Sequence, residues 1–296
     1  MKIAYIMLCH KNSKQINMLI DKLMNDNADF YIHVDLKSKI GNEISQKNNI
    51  FILPKEKSYS VSWGGNEMIL ATLSLIREVK NSGKKYDYIW LISGQDFPIV
   101  STKIIEQRLM DNFGYNFIDI IDKEYKEYNA YKKLYEIKYP KWITKNKFYI
   151  KLIKRIYMIL TGGLKYTFKI FRRKRNFDFD FYFGSQWWTL TSECAYDLLD
   201  YCDENPKYIK YFDNVIIPDE CFFQTLFMNT KYSKLRKDNL TFVNWKNNKR
   251  SPENLTINDL SILKQISKEK CLARKFDIDV DDEIILMLNE NMDGDK

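Results

Sequence analysis

Side chains able to do chemistry gather directly behind short apolar runs. Cys9-His10-Lys11 follows KIAYIML, Asp35 closes FYIHV, and Ser93-Gly94-Gln95-Asp96 follows YIWLI. Thiol, imidazole, ammonium and carboxylate groups bind polar ligands or move protons. Further on, Pro218 opens an apolar helical stretch with Asp219 and Glu220 beside it. Acids there complement the positive end of a helix or, placed in a cleft, accept protons. Other chemistries are excluded. His10 and His33 are the only histidines, too few for a His-rich metal site and leaving little choice for a Ser-His-Asp triad. Cys9, Cys194, Cys202, Cys221 and Cys271 are odd in number and form no C-x-x-C, so neither a disulfide framework nor a Cys-rich zinc site is indicated. Phosphate-cradling G-x-G-x-x-G and G-x-x-x-x-G-K-[ST] patterns are absent.

The elements that must position these residues read as strands alternating with helices. Strands are expected at 2–8, 30–34, 50–53 and 88–92. Helices are expected over 16–24, 68–79, 102–110, 193–201, 219–228, 258–266 and 282–288. That alternation predicts an α/β fold with a mostly parallel sheet flanked by helices, in which ligands lie at the carboxyl ends of the strands. With 296 residues, 45% of them hydrophobic, the chain can bury about 75% of the surface its unfolded form exposes. No run is long and apolar enough to span a membrane, and the first residues do not form a signal peptide, so a cytoplasmic location is expected.

The net charge of +8 is local. Between Ile137 and Phe177 the chain carries +13 with no acid, leaving about −5 elsewhere. In KFYIKLIKRIYMIL (147–160), Tyr149, Leu152, Ile153, Ile156, Tyr157 and Leu160 share one helical face, and FKIFRRKR follows shortly after. A basic amphipathic insert over 138–176 within one domain of 1–296 fits a peripheral contact with an anionic membrane, on the inner face of the cell membrane. It equally fits a packed helical hairpin with solvated lysines. A nucleic-acid partner is not expected, because the remaining chain is acidic and carries no recognised nucleic-acid module.

YIHVDLKS (31–38), VSWGGNEM (61–68), YDYIWLISGQDFPI (86–99), GSQWWTLT (184–191), PDECFFQTL (218–226) and LARKFD (272–277) follow one another over nearly the whole chain. Together they resemble glycosyltransferase family 14, the core-2/I-branching β-1,6-N-acetylglucosaminyltransferases and peptide O-xylosyltransferases. The resemblance implies a GT-A type nucleotide-sugar-binding fold and inverting transfer from a UDP-sugar to a hydroxyl, with no metal held by a D-x-D motif. D-x-D spacings do occur at Asp178/Asp180, Asp277/Asp279 and Asp279/Asp281. They are read as structural.

By that resemblance Glu220 is the base that takes the acceptor's proton. A helix terminus alone would lower its pKa, so burial beside Phe222 and Trp187 has to offset that effect. Asp219 caps the helix or hydrogen-bonds the sugar. Without a metal the departing diphosphate needs cations, and the family's two map onto Arg250 and Lys275. Asp35 matches the acid that meets the nucleoside, and Met7 falls where strand backbone meets the base. Asp96 contacts donor or acceptor sugar or orders its loop; His33 reads as a core residue. Trp63-Gly64-Gly65 opens a helix, where the glycines permit close approach to the donor. Trp187, Trp188 and Trp245 are the candidate sugar platforms. Asn247, where the mammalian branch is aromatic, and the lack of counterpart acceptor contacts over 124–135 argue against a mammalian mucin-type acceptor. Lys-, Asn- and Ile-rich usage points to a low-GC bacterium and to cell-surface or capsular polysaccharide synthesis, with a glycan acceptor that is polyprenyl-linked if the insert meets membrane. The alternative is a carbohydrate-binding or scaffolding protein that keeps the fold without turnover.

Overall fold

A computed structural model describes residues 1–62, 64–121, 123–124, 128, 132, 135, 179–213, 215, 217–245 and 252–291. The basic segment over 138–176, with Asp178, Trp63 and Arg250, lies outside them. The strands are β1 (Ile3–Cys9), β2 (Ala28–Val34), β3 (Ile50–Ile52), β4 (Tyr88–Ser93), β5 (Asp96–Pro98), β6 (Asn116–Ile118), β7 (Trp188–Thr191), β8 (Arg236–Lys237), β9 (Thr241–Val243) and β10 (Leu272–Arg274). The helices are α1 (Ser13–Leu23), α2 (Glu67–Asn81), α3 (Thr102–Asp111), α4 (Ser192–Glu204), α5 (Pro206–Tyr211), α6 (Phe222–Met228), α7 (Leu260–Ile266) and α8 (Glu283–Asn291).

A seven-stranded sheet runs in the order β3-β2-β1-β4-β7-β6-β8. The pairs β1/β2, β1/β4, β2/β3 and β6/β8 are parallel, while β7 runs antiparallel to both its neighbours. The α/β class with a mostly parallel sheet between helices is therefore as expected. Strand β1 is apolar throughout because it is covered on both faces. Ala4, Ile6 and Leu8 face one core with α2, α4 and α6; Ile3, Tyr5, Met7 and Cys9 face the other with α1 and α8. This is the two-residue period of a strand sorting one run of sequence into two cores.

Chain order places the cleft. From β1 the sheet grows through β2 to β3, and then β4 returns to the opposite side of β1. Connections diverge at that reversal, which leaves a crevice beyond the carboxyl ends of β1 and β4. Cys9-His10-Lys11 and Ser93–Asp96 emerge there. A second, three-stranded sheet, β5-β10-β9, carries Asp96 and Arg274 in register. The sequence reading missed this sheet, because its three-residue strands are too short to show a period.

Candidate active site

Glu220 stands on a 3-10 turn, Pro218–Glu220, that precedes α6. The expected single helix over 219–228 is thus two pieces. Ile217, just before the turn, holds φ 54, a left-handed conformation that strains a β-branched side chain by about 1–3 kcal/mol. Its amide donates to the carbonyl of Gly64, itself at φ 71. On the other side the Gly184 amide donates to the Glu220 carbonyl at 2.9 Å. Gly184 is needed for that approach: a Cβ there would sit 1.8 Å from the Asp119 carbonyl oxygen. The turn that carries Glu220 is therefore pinned by backbone from two distant segments.

Burial pushes the Glu220 carboxyl up to about 7, and the charge of Asp219 pushes the same way. The lowering expected of a helix terminus is outweighed, so Glu220 can be ionised yet basic near neutral pH. Asp219 is buried, caps neither the turn nor α6 with its side chain, and leaves Oδ1 without a hydrogen-bond partner among the described residues. Its carboxyl is raised to about 6 by burial, against the pull of its own amide and of Arg274. Of the two roles expected for Asp219, helix capping is corrected.

The cationic side is built from β10 and the end of β1. Lys275 follows β10, its ammonium drawn below the usual lysine range by burial and by Arg274 and Lys11, with Asp277 opposing. Crowded cations of this kind gain most from an added anion. Lys11 pairs with Asp277, which also accepts from Asn12 at 2.8 Å. Exposed His10 is held below the ordinary histidine range by partial burial and by Lys11. Asp277 and Asp281 are committed locally: Asp281 accepts from the amides of Ile257 and Ile284 at 2.9 and 3.1 Å. Among the described residues no group of three His, Cys, Asp or Glu could share a metal ion.

At the mouth of β2, Asp35 receives the amide of Lys37 on Oδ1 at 2.9 Å and lies 3.7 Å from its ammonium through Oδ2. It is both a turn residue and a carboxylate with remaining acceptor capacity at the crevice. His33 is buried as expected, and its Nε2 accepts from the amide of Tyr59 at 2.9 Å, while Nδ1 has no partner among the described residues.

Several expected contacts are corrected by burial. The Met7 side chain is core, 0% exposed inside β1 and paired across to Ile32 and Ile92; the strand's open end is Cys9-His10. Trp188 is also 0% exposed, packed on Phe223, and is core rather than a sugar platform. Asp96 is sealed too: Oδ2 accepts the Ser93 amide at 2.8 Å and Oδ1 lies 3.2 Å from Arg274 Nε. Of its two expected roles, Asp96 orders the loop. Trp187 is buried with its ring face covered by the Arg274 guanidinium, 4.1 Å from the centroid. Trp245 alone of the three proposed platforms is open, 55% exposed just past β9. Arg274 was overlooked in the sequence; its position inside LARKFD beside Lys275 was the available signal.

The sequence pattern of the Core-2/I-Branching enzyme family matches residues 3–267. The chain is 25% identical over 311 residues to Xylosyltransferase sqv-6 of Caenorhabditis briggsae, covering 96% of this chain and 36% of that protein. It is 28% identical over 123 residues to a zebrafish (Danio rerio) beta-1,3-galactosyl-O-glycosyl-glycoprotein beta-1,6-N-acetylglucosaminyltransferase 4, covering 40% of this chain and 28% of that protein. The chain thus spans about a third of the length of the curated relatives it matches. Among solved structures, mouse Xyloside xylosyltransferase 1 in its apo form aligns with 92% of this chain and 97% of its own at a TM-score of 0.36 and 9% identity.

Proposed function

The chain belongs to the Core-2/I-branching enzyme family, and from that premise we propose that it is an inverting glycosyltransferase moving a sugar from a UDP-sugar to a hydroxyl of a glycan acceptor. The observation that carries the reading is a buried carboxyl raised to about 7, Glu220, on a turn held by the backbones of Gly64 and Gly184, in a fold that also carries a crowded cation, Lys275, after β10. In-line displacement at an anomeric carbon needs a base on one side and charge compensation for the departing diphosphate on the other. Glu220 removes the acceptor proton, and Lys275, with Arg250, neutralises the leaving group without a divalent metal. Asp35 accepts from the nucleoside, and Trp245 offers its open face to the acceptor.

Bacterial cell-surface or capsular polysaccharide synthesis is the proposed setting, supported by the Lys-, Asn- and Ile-rich usage. The basic segment 138–176 supports a peripheral contact with the cytoplasmic face of an anionic membrane, where a polyprenyl-linked acceptor would lie. No helix among the described residues is long and apolar enough to cross a membrane.

A thermal-shift screen of UDP-sugars tests the donor class, since a ligand binding only the native state raises its stability by mass action. Hydrolysis of the best donor by wild type and by Glu220→Gln then separates enzyme from non-catalytic binding protein. Donor binding without turnover in either protein would support the second reading.

A further inference from the structure

We infer that Gln15 and Asn12 are positioning residues for the donor diphosphate: from the start of α1 they clamp the segment 276–278 and so fix where Lys275 presents its ammonium. The inference rests on the glycosyltransferase reading, with Lys275 as the phosphate cation, and adds to it the side chains that hold that cation in place.

A lysine is a point charge on a flexible stem, so the reach of its ammonium is set by where its backbone is held. Lys275 directly follows β10, and each of the next three residues is tied to the start of α1. The Gln15 amide nitrogen donates to the Phe276 carbonyl at 3.2 Å and to the Gly94 carbonyl at 3.0 Å, while its oxygen accepts the Ile278 amide at 2.9 Å. Both donors and the acceptor of the side chain are thus engaged. Between these contacts Asp277 accepts from Asn12 Nδ2 at 2.8 Å and pairs with Lys11. The Gln15 side chain is 0% exposed, so it acts through the backbone it holds.

Both residues forgo a local preference for this link. Gln15 lies on the buried face of α1 with Ile16 and Leu19, where an apolar side chain would pack without the cost of desolvating an amide. Asn12 is the N-cap of α1, yet its side chain makes no capping bond and turns to Asp277 instead. The clamp is braced from the loop after β4 as well: the Phe276 amide donates to the Gln95 carbonyl at 2.8 Å, and the Phe276 carbonyl also accepts Gln95 Nε2 at 3.3 Å. On Lys275 itself the carbonyl accepts the Leu255 amide at 2.8 Å. Because α1 follows β1 and Gly94 follows β4, the segment that carries the cation is fastened to the open ends of the two strands that bound the crevice.

The test uses the full chain with Gln15→Met, which keeps the size and removes the amide, alone and combined with Lys275→Ala. Affinity for UDP is measured by calorimetry, affinity for uridine, which lacks the diphosphate, by ligand-observed NMR, and thermal unfolding on each protein. We expect Gln15→Met to bind UDP about 10-fold more weakly and uridine within about 3-fold of wild type. In the Lys275→Ala background the same substitution should change UDP affinity by less than about 2-fold, because the group it positions is gone. A parallel loss of uridine affinity, a drop as large in the Lys275→Ala background as in wild type, or wild-type UDP affinity in the folded variant would overturn the inference. If Gln15→Met lacks a native thermal transition, Asn12→Gly takes its place, since glycine accepts φ 59 and the substitution removes the bond to Asp277. It should show the same pattern with a loss of about 3-fold, the worth of one hydrogen bond, and wild-type UDP affinity is again the overturning result. Failure of the parent reading looks different: wild type then binds no UDP, or Lys275→Ala binds it as tightly as wild type does, and the inference falls with that reading.

Discussion

Replacing Glu220 by Gln should weaken the catalyst and strengthen the fold, and both effects should grow as pH rises towards 7 and above. The ordinary glutamate value of 4.5 becomes about 7 in the native protein, chiefly through burial. The native state therefore holds this proton more tightly than the unfolded chain does. The stabilisation is full below pH 4.5, fades as pH rises, and is lost above 7. At 1.36 kcal/mol for each pH unit the gap amounts to about 3 kcal/mol, trimmed to about 2–3 because the carboxyl keeps some solvent contact. Glutamine has no proton to lose and keeps the neutral form throughout. Urea unfolding of both proteins at pH 4.5 and pH 8 should thus give similar stabilities at the lower pH and an advantage of about 2–3 kcal/mol for the variant at the higher. Turnover should meanwhile fall by about 10²–10⁴-fold, the usual contribution of a general base. In wild type kcat/KM should drop about tenfold for each pH unit below 7. Stability curves that run parallel from pH 4.5 to 8, or a variant turning over within a few-fold of wild type, would refute the assignment.

Further outcomes follow from the same geometry. Lys275→Ala should lower UDP affinity by about 10- to 100-fold, the worth of a charge-assisted hydrogen bond, and flatten its salt dependence; calorimetry at two ionic strengths checks both. Gly184→Ala forces a Cβ to within 1.8 Å of the Asp119 carbonyl oxygen. It should cost about 1–3 kcal/mol in urea unfolding and reduce kcat, because the amide that supports Glu220 has to shift. Transfer in excess EDTA should match transfer in buffer alone, and complete loss would contradict a metal-free mechanism.

The larger sheet was legible in the sequence because β1, β2 and β4 are apolar runs followed by polar turns, and α2 is an uninterrupted buried helix. The small sheet was not: β5, β9 and β10 have three residues each, and β10 pairs with β5 from more than 170 residues away. At the site, motif position nominated Glu220, Asp35 and Lys275, but motifs do not report solvent access. Met7 and Trp188 alternate along their strands into cores, which a face-by-face reading of β1 and β7 depends on knowing the partner strands to assign. Asp96 looked available because it follows a strand; the arginine that seals it arrives from β10. The elevated basicity of Glu220 was anticipated as a need, and the short 3-10 turn that meets it by burial was not.

The placement of β10 also bears on synthesis. It pairs with β5 on one side and β9 on the other, so the small sheet closes only when a late segment inserts between earlier ones. A nascent chain extended through β6 already holds Asp35 and the open end of β1, but neither the acid turn nor the cation of the transfer site. On the proposed reading, the site is thus complete only once the segment that carries β10 has been made.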